Sequence, residues 1–349
     1  MKNRPLLTLG STSARLAQSQ ATTVLERLQA AHPRLAFAPV TVEVSDGDAE
    51  KTGPFLAESE ATAAAVDARL LAGDFRLAVR YASDLAGPLP AGLMRAAVLE
   101  RTTPYDAFLN RQGRITDEMP SDAVIGVLNL RARAQMQALW PHLTARVLRG
   151  GVEHAVEAMM RQGVVDGLVL PAVVTEHLGI QALVTELYFP EMMLPGVGQG
   201  TVVLLCREDD EEAREAAQAL HSQASAWELD AETAFVERVA ADRDVPVGVL
   251  AQVEGRRILV TGAIGSPSGG SINRAATRGV AAQAAQVGAA LAEQLVLSGD
   301  SLLDLLEADF PEGLPTVEPD DDDEDNDPSA AARLADDVPG AVEDEDLED

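Results

Sequence analysis

One thiol, five imidazoles and a set of cations dominated by arginine are the chemical resources of this chain. Cys206 is its only cysteine, which excludes an internal disulfide and a cysteine-rich metal cage. His32, His142, His154, His177 and His221 show no HxxxH or HExxH spacing, so packing or surface histidines are expected and no metal site. Lys2 and Lys51 are the only lysines; every other fixed positive side chain is an arginine, whose planar fork suits carboxylates held by two hydrogen bonds. Asp84 closes the run Arg80-Tyr81-Ala82-Ser83-Asp84 after an apolar strand. It reads either as a working carboxylate or as a loop or cap residue. Cys206, placed on a strand, reads as a small buried hydrophobe.

The elements that must position these residues follow from spacing. Leu6–Leu9 predicts a strand, and Ser11-Thr12-Ser13 can cap a helix from Ala14 to about Ala31, with Leu16, Val24, Leu25 and Leu28 at helical intervals. Next come a strand over Ala36–Val44, a loop over 45–58, a helix over Ala61–Leu71 stopped by Gly73, and a strand over Phe75–Tyr81. A second unit has strands at Arg95–Leu99, Ala123–Leu128, Ala145–Arg149 and Gly167–Leu170, with helices at Ala132–Leu139 and Gly151–Gln162. This alternation argues for parallel α/β sheets. Pro195–Gly200 is a glycine-rich crossing into a strand at Thr201–Cys206 and a helix at Glu211–Gln223. A third unit, with helices at Ala231–Val239 and Gly279–Leu297 and strands at Val247–Val253 and Arg257–Ile264, reads as a small α+β domain.

Charge separates the tail from the rest. Residues 311–349 hold seventeen acids and one arginine, a net −16, and leave −13 of the total −29 to the remainder. Such a block repels itself and buries no apolar surface, so disorder is expected, with a solubilising role or a docking role for a protein partner. Both parts are acidic, which argues against nucleic acid and anionic membranes. No run of 18 apolar residues and no leader-like segment is read, so no membrane association and a cytoplasmic location are expected.

Six stretches, in order and at matching intervals, resemble hydroxymethylbilane synthase, also called porphobilinogen deaminase. Gly92–Arg101 resembles its GLxxAAVLxR segment, and Ala134-Gln135 with Leu139 and Pro141 its RxAQLxxLRP helix. Arg149-Gly150-Gly151-Val152 resembles RGNV, and Met193–Arg207 resembles MLPxxGQGxxxxECR. Phe235 with Val245–Gly248 resembles ERAFLxxLxxxCxVPxG, and Gly262 with Gly265–Gly269 resembles the GxxxxPDG turn. The resemblance implies two α/β domains of the periplasmic-binding-protein type around a cleft and a small α+β domain. It places the first domain at 1–94 plus 198–215, the second at 95–197, the third at 216–310 and a disordered acidic tail at 311–349.

The resemblance also implies a chemistry. The family, a transferase of tetrapyrrole biosynthesis, joins porphobilinogen units head to tail with release of ammonia. Its chain grows on a dipyrromethane cofactor held by a thioether to one cysteine. Asp84 aligns with the catalytic aspartate, which stabilises a cationic intermediate and shuttles protons, while Ser83 stands for the family's lysine. GTRGSxLA reads Gly10–Ala17: Ser11 and Ser13 remain as substrate-binding candidates, and Thr12 and Ala14 replace the arginine and a serine. Arg15 points in another direction and does not substitute. GTSSLRR reads Gly126–Ala132, keeping Arg131 and offering Asn129; Arg149 and Gln199 match further binding positions, and Ala155 replaces another arginine. Arg243 stands where the cofactor cysteine belongs.

The expectation is therefore a family member impaired or inactive in porphobilinogen polymerisation, with no cofactor attached. The alternative is a non-catalytic paralogue, a monomer, that binds a small anion such as porphobilinogen or another pyrrole, or a protein partner. A solute receptor would also suit two cleft domains, but no export signal is read.

Overall fold

The computed structural model describes residues 6–43, 59–85, 87–239, 245–266 and 271–298. The acidic tail, the loop expected over 45–58 and Arg243 lie outside the described residues. The described chain forms three sheets flanked by helices, a mixed α/β fold.

The first sheet has the order β2-β1-β3-β10-β4, from β1 (Leu6–Thr12), β2 (Ala36–Val42), β3 (Leu77–Tyr81), β4 (Leu93–Val98) and β10 (Val202–Arg207). Between β1 and β2 runs α1 (Arg15–Ala31). It buries Leu16, Ala17, Gln20, Ala21, Val24 and Leu28, one stripe at helical spacing. The next helix, α2 (Glu60–Ala72), starts where Ser59 accepts a hydrogen bond from Thr62 N at 3.2 Å and ends at Gly73, whose φ of 83° is left-handed.

The second sheet has the order β7-β6-β8-β5-β9, from β5 (Asp106–Leu109), β6 (Val124–Val127), β7 (Thr144–Val147), β8 (Gly167–Pro171) and β9 (Val184–Tyr188). Its helices are α3 (Leu130–Leu139), α4 (Gly151–Glu157) and α5 (Ala172–Leu178). The helix expected over Gly151–Gln162 changes after Glu157 into a π-helical turn, Ala158–Gln162.

The expectation of parallel sheets is corrected. In each of the first two sheets three strands are parallel, but β10 runs antiparallel to β3 and β4, and β5 runs antiparallel to β8 and β9. The chain thus crosses into each sheet from the other unit. β4 spans Leu93–Val98 in the first sheet, across the boundary placed at 94.

A third, antiparallel sheet has the order β11-β12-β13, from β11 (Val247–Glu254), β12 (Arg257–Gly265) and β13 (Ile272–Val280). It packs on α7 (Gln223–Val239) and α8 (Ala284–Ser298), while α6 (Glu211–Gln218) precedes α7. Three sequence expectations shift here. Gly279 belongs to β13, so the last helix starts at Ala284; α6 stops at Gln218; and α7 starts at Gln223 rather than Ala231. Gly288 lets α8 approach α7 closely, because a Cβ there would overlap the Ala231 carbonyl. No described helix is long and apolar enough to cross a membrane.

Candidate functional site

The glycine-rich crossing holds the three units together. Gly198 and Gly200 have φ of 66° and 78°, and a Cβ on Gly200 would come within 2.5 Å of the Thr103 carbonyl oxygen. Glu232, on α7, is 0% exposed. Its carboxylate accepts from Arg101 Nη1 at 2.6 Å, Gly198 N at 2.8 Å and Ala251 N at 2.9 Å. The buried carboxylate is therefore well supplied with donors, and it joins β4's exit, the crossing and β11.

A second buried hub involves three of the expected site residues. Arg131 is 6% exposed and faces Asp106, 1% exposed, through two hydrogen bonds of 2.8 and 3.1 Å. Arg131 Nη1 also donates to the Leu194 carbonyl at 2.7 Å. Gln199 donates to Asp106 at 3.1 Å and to the Pro104 carbonyl at 2.7 Å, and accepts from Gly196 N at 3.2 Å. Asn129 caps α3, its Oδ1 accepting from Ala132 N at 2.8 Å. These polar groups are engaged within the protein, and only Arg131 Nε is left buried without a partner.

The other expected residues stand at the ends of strands. Asp84 is buried in a 3-10 turn, Ala82–Asp84, that follows β3. Ser11 is buried on β1, and Ser13, half-buried just beyond it, donates its backbone N–H to the Val42 carbonyl at 3.1 Å. Thr12 is buried between them with its hydroxyl unpartnered. Arg149 is exposed just before α4 and makes no side-chain hydrogen bond or ion pair with the described residues.

Two further residues meet Asp84. The Tyr81 hydroxyl has no hydrogen-bond partner, and its pKa is pushed up by burial and then by the Asp84 and Glu153 carboxylates. Glu153, in the first turn of α4, has its pKa raised by burial; its own backbone N–H, the Leu16 N–H and the Arg15 guanidinium oppose that shift. Sequence comparison missed Glu153 because the resemblance to RGNV ends at Val152. It also passed over Arg133, half-buried with Nε unpartnered, one residue beyond the arginine replaced by Ala132.

The family model for "porphobilinogen deaminase, dipyromethane cofactor binding domain" matches residues 7–215. Porphobilinogen deaminase of Roseiflexus sp. (strain RS-1) is 34% identical over 299 residues, 85% of this chain and 98% of that protein. The chain belongs to the porphobilinogen deaminase family. The enzyme of Syntrophus aciditrophicus (strain SB) is 31% identical, over 84% of this chain and 96% of that protein. Among solved structures, the methionine binding protein MetQ aligns with a TM-score of 0.40 and 14% identity, covering 63% of this chain and 91% of that one.

Against that family, Cys206 is decisive for cofactor chemistry. It lies on β10 at 0% exposure, packed in the apolar cluster that also holds Leu204 and Val202. Burial, and next the Asp210 carboxylate, push its thiol pKa up. A thiol kept protonated and covered is a poor nucleophile.

Proposed function

We propose that this chain is a porphobilinogen deaminase homologue that binds a small carboxylate-bearing ligand, such as porphobilinogen, and is impaired or inactive in polymerising it. The observation that carries this reading is the position of its single thiol. A dipyrromethane held by a thioether needs a sulfur facing the cleft, and Cys206 is buried in the core of the first sheet. The residues present therefore do not fit that attached group. Arg243, aligned with the family's cysteine, offers a guanidinium, which forms no thioether.

The thinned set of cations supports the same reading. Arg131 spends its fork on Asp106, and Asn129 and Gln199 spend their amides within the protein. Arg149 is the aligned arginine left with an open fork among the described residues. One such arginine suits one carboxylate, whereas a growing polypyrrole brings many. Asp84 is the carboxylate that would face an ammonium or a cation in this cleft, and Ser11 and Ser13 line the same strand end.

Calorimetric titration of the purified chain with porphobilinogen, together with a turnover assay, tests the proposal. We expect saturable binding without polymer formation, weakened by Arg149→Ala. Turnover at the rate of a family enzyme would overturn it.

A further inference from the structure

The N-terminus of α1 is unusual in what it lacks. A helix start leaves backbone N–H groups without intrahelical partners and carries partial positive charge. In α1, 17 residues long, the N-cap is Ala14, no side chain caps it, and no acid occupies the first turn. The chain's own sequence around 14–18 supplies no group to satisfy that end.

A carboxylate arrives from the other α/β unit instead. Glu153 of α4 brings its carboxyl against the Leu16 N–H and the Arg15 guanidinium. The side chain keeps accessible surface, while the protein around it encloses the carboxyl closely enough to raise its pKa. The carboxyl thus lines a recess. A second observation marks the same recess as a place for a polar group. Tyr81, 2% exposed, has a hydroxyl with no hydrogen-bond partner and lies in the field of both Glu153 and Asp84. A phenol stripped of water and left unpaired is costly, and such groups mark sites that take a ligand. Farther along α1, Ser19 Oγ and His177 Nδ1 of α5 make a second polar tie across the units at 2.9 Å.

We propose that Glu153 is an internal ligand of an oxyanion site at the N-terminus of α1, clasping the two α/β units together and excluding small external carboxylates from that position. The site is built from the Leu16 N–H, the Arg15 guanidinium and the Tyr81 hydroxyl. The clasp is independent of the activity proposed above, since a chain that turned over would carry it equally. Removing the carboxylate frees these donors for an acetate or a phosphate.

The test uses the full chain with Glu153→Gln, Glu153→Ala and the shortened acid Glu153→Asp. Acetate and inorganic phosphate are titrated calorimetrically, and hydrogen exchange of the first-turn amides of α1 is followed without added anion. We expect both uncharged variants to bind acetate at least about tenfold more tightly than the parent chain. Their α1 amides should exchange about tenfold faster, and Glu153→Asp should fall between. Glu153→Gln, close to isosteric, decides the matter if Glu153→Ala does not fold. Equal acetate affinity in Glu153→Gln and the parent overturns the proposal, whatever the exchange rates.

Discussion

Asp106→Asn is the sharpest perturbation of the buried hub. It removes one charge and leaves shape almost unchanged. In the native protein Arg131 is 6% exposed and its two terminal nitrogens meet the Asp106 oxygens at 2.8 and 3.1 Å. After substitution the guanidinium keeps the Leu194 carbonyl but faces an amide in place of a carboxylate. Removing one partner of a buried pair strands the other charge and costs about 3–5 kcal/mol. With a urea slope of about 3 kcal/mol per molar, the midpoint falls by roughly 1–1.5 M. Replacing both partners, Asp106→Leu with Arg131→Met, removes the stranded charge and should recover stability to within about 1 kcal/mol of the parent. Equilibrium urea unfolding followed by far-ultraviolet circular dichroism reads all three. A loss below about 1 kcal/mol for Asp106→Asn would refute the reasoning, and would mean that Arg131 is free to turn toward a ligand.

Three other outcomes follow from single sites. Gly288→Ala places a methyl against the Ala231 carbonyl and should lower stability by about 1–3 kcal/mol, read as a drop in melting temperature. Asp210 has its pKa lowered, first by the hydrogen bond from Arg76. Its stabilising contribution is thus fully present above the usual carboxylate pKa of about 3.8 and is lost as pH falls through the lower folded value. Asp210→Asn should therefore destabilise the chain at pH 7 and narrow its gap from the parent in acid unfolding below that range. Cys206 should resist maleimide labelling in the native state and react once urea unfolds the first sheet; rapid native labelling would contradict its burial.

Much of the fold was legible because local signals agree with tertiary ones. The stripe from Leu16 to Leu28, the Ser59 cap and the Gly73 stop all sit where spacing and cap chemistry put them. β5 and β9 were not, since four and five residues without clean alternation carry little periodic signal. Their antiparallel pairing depends on partners distant in sequence. β13 was partly read as helix because Ala275, Ala276 and Ala281 lie beside the alanines of α8, and its alternation appears only as burial in three dimensions. At the site, residue types were legible but their engagements were not. Arg131 looks like a free cation until Asp106, twenty-five positions away, closes on it. Glu153 carries no motif, and its contact with α1 exists only because two units meet.

The account's central claim is a porphobilinogen deaminase family member whose one thiol is withdrawn from the cleft. Intact-mass spectrometry of the purified full-length chain tests it most directly. The account predicts the mass of the 349-residue sequence itself. An excess of two pyrrole units, retained under denaturing conditions, would contradict it.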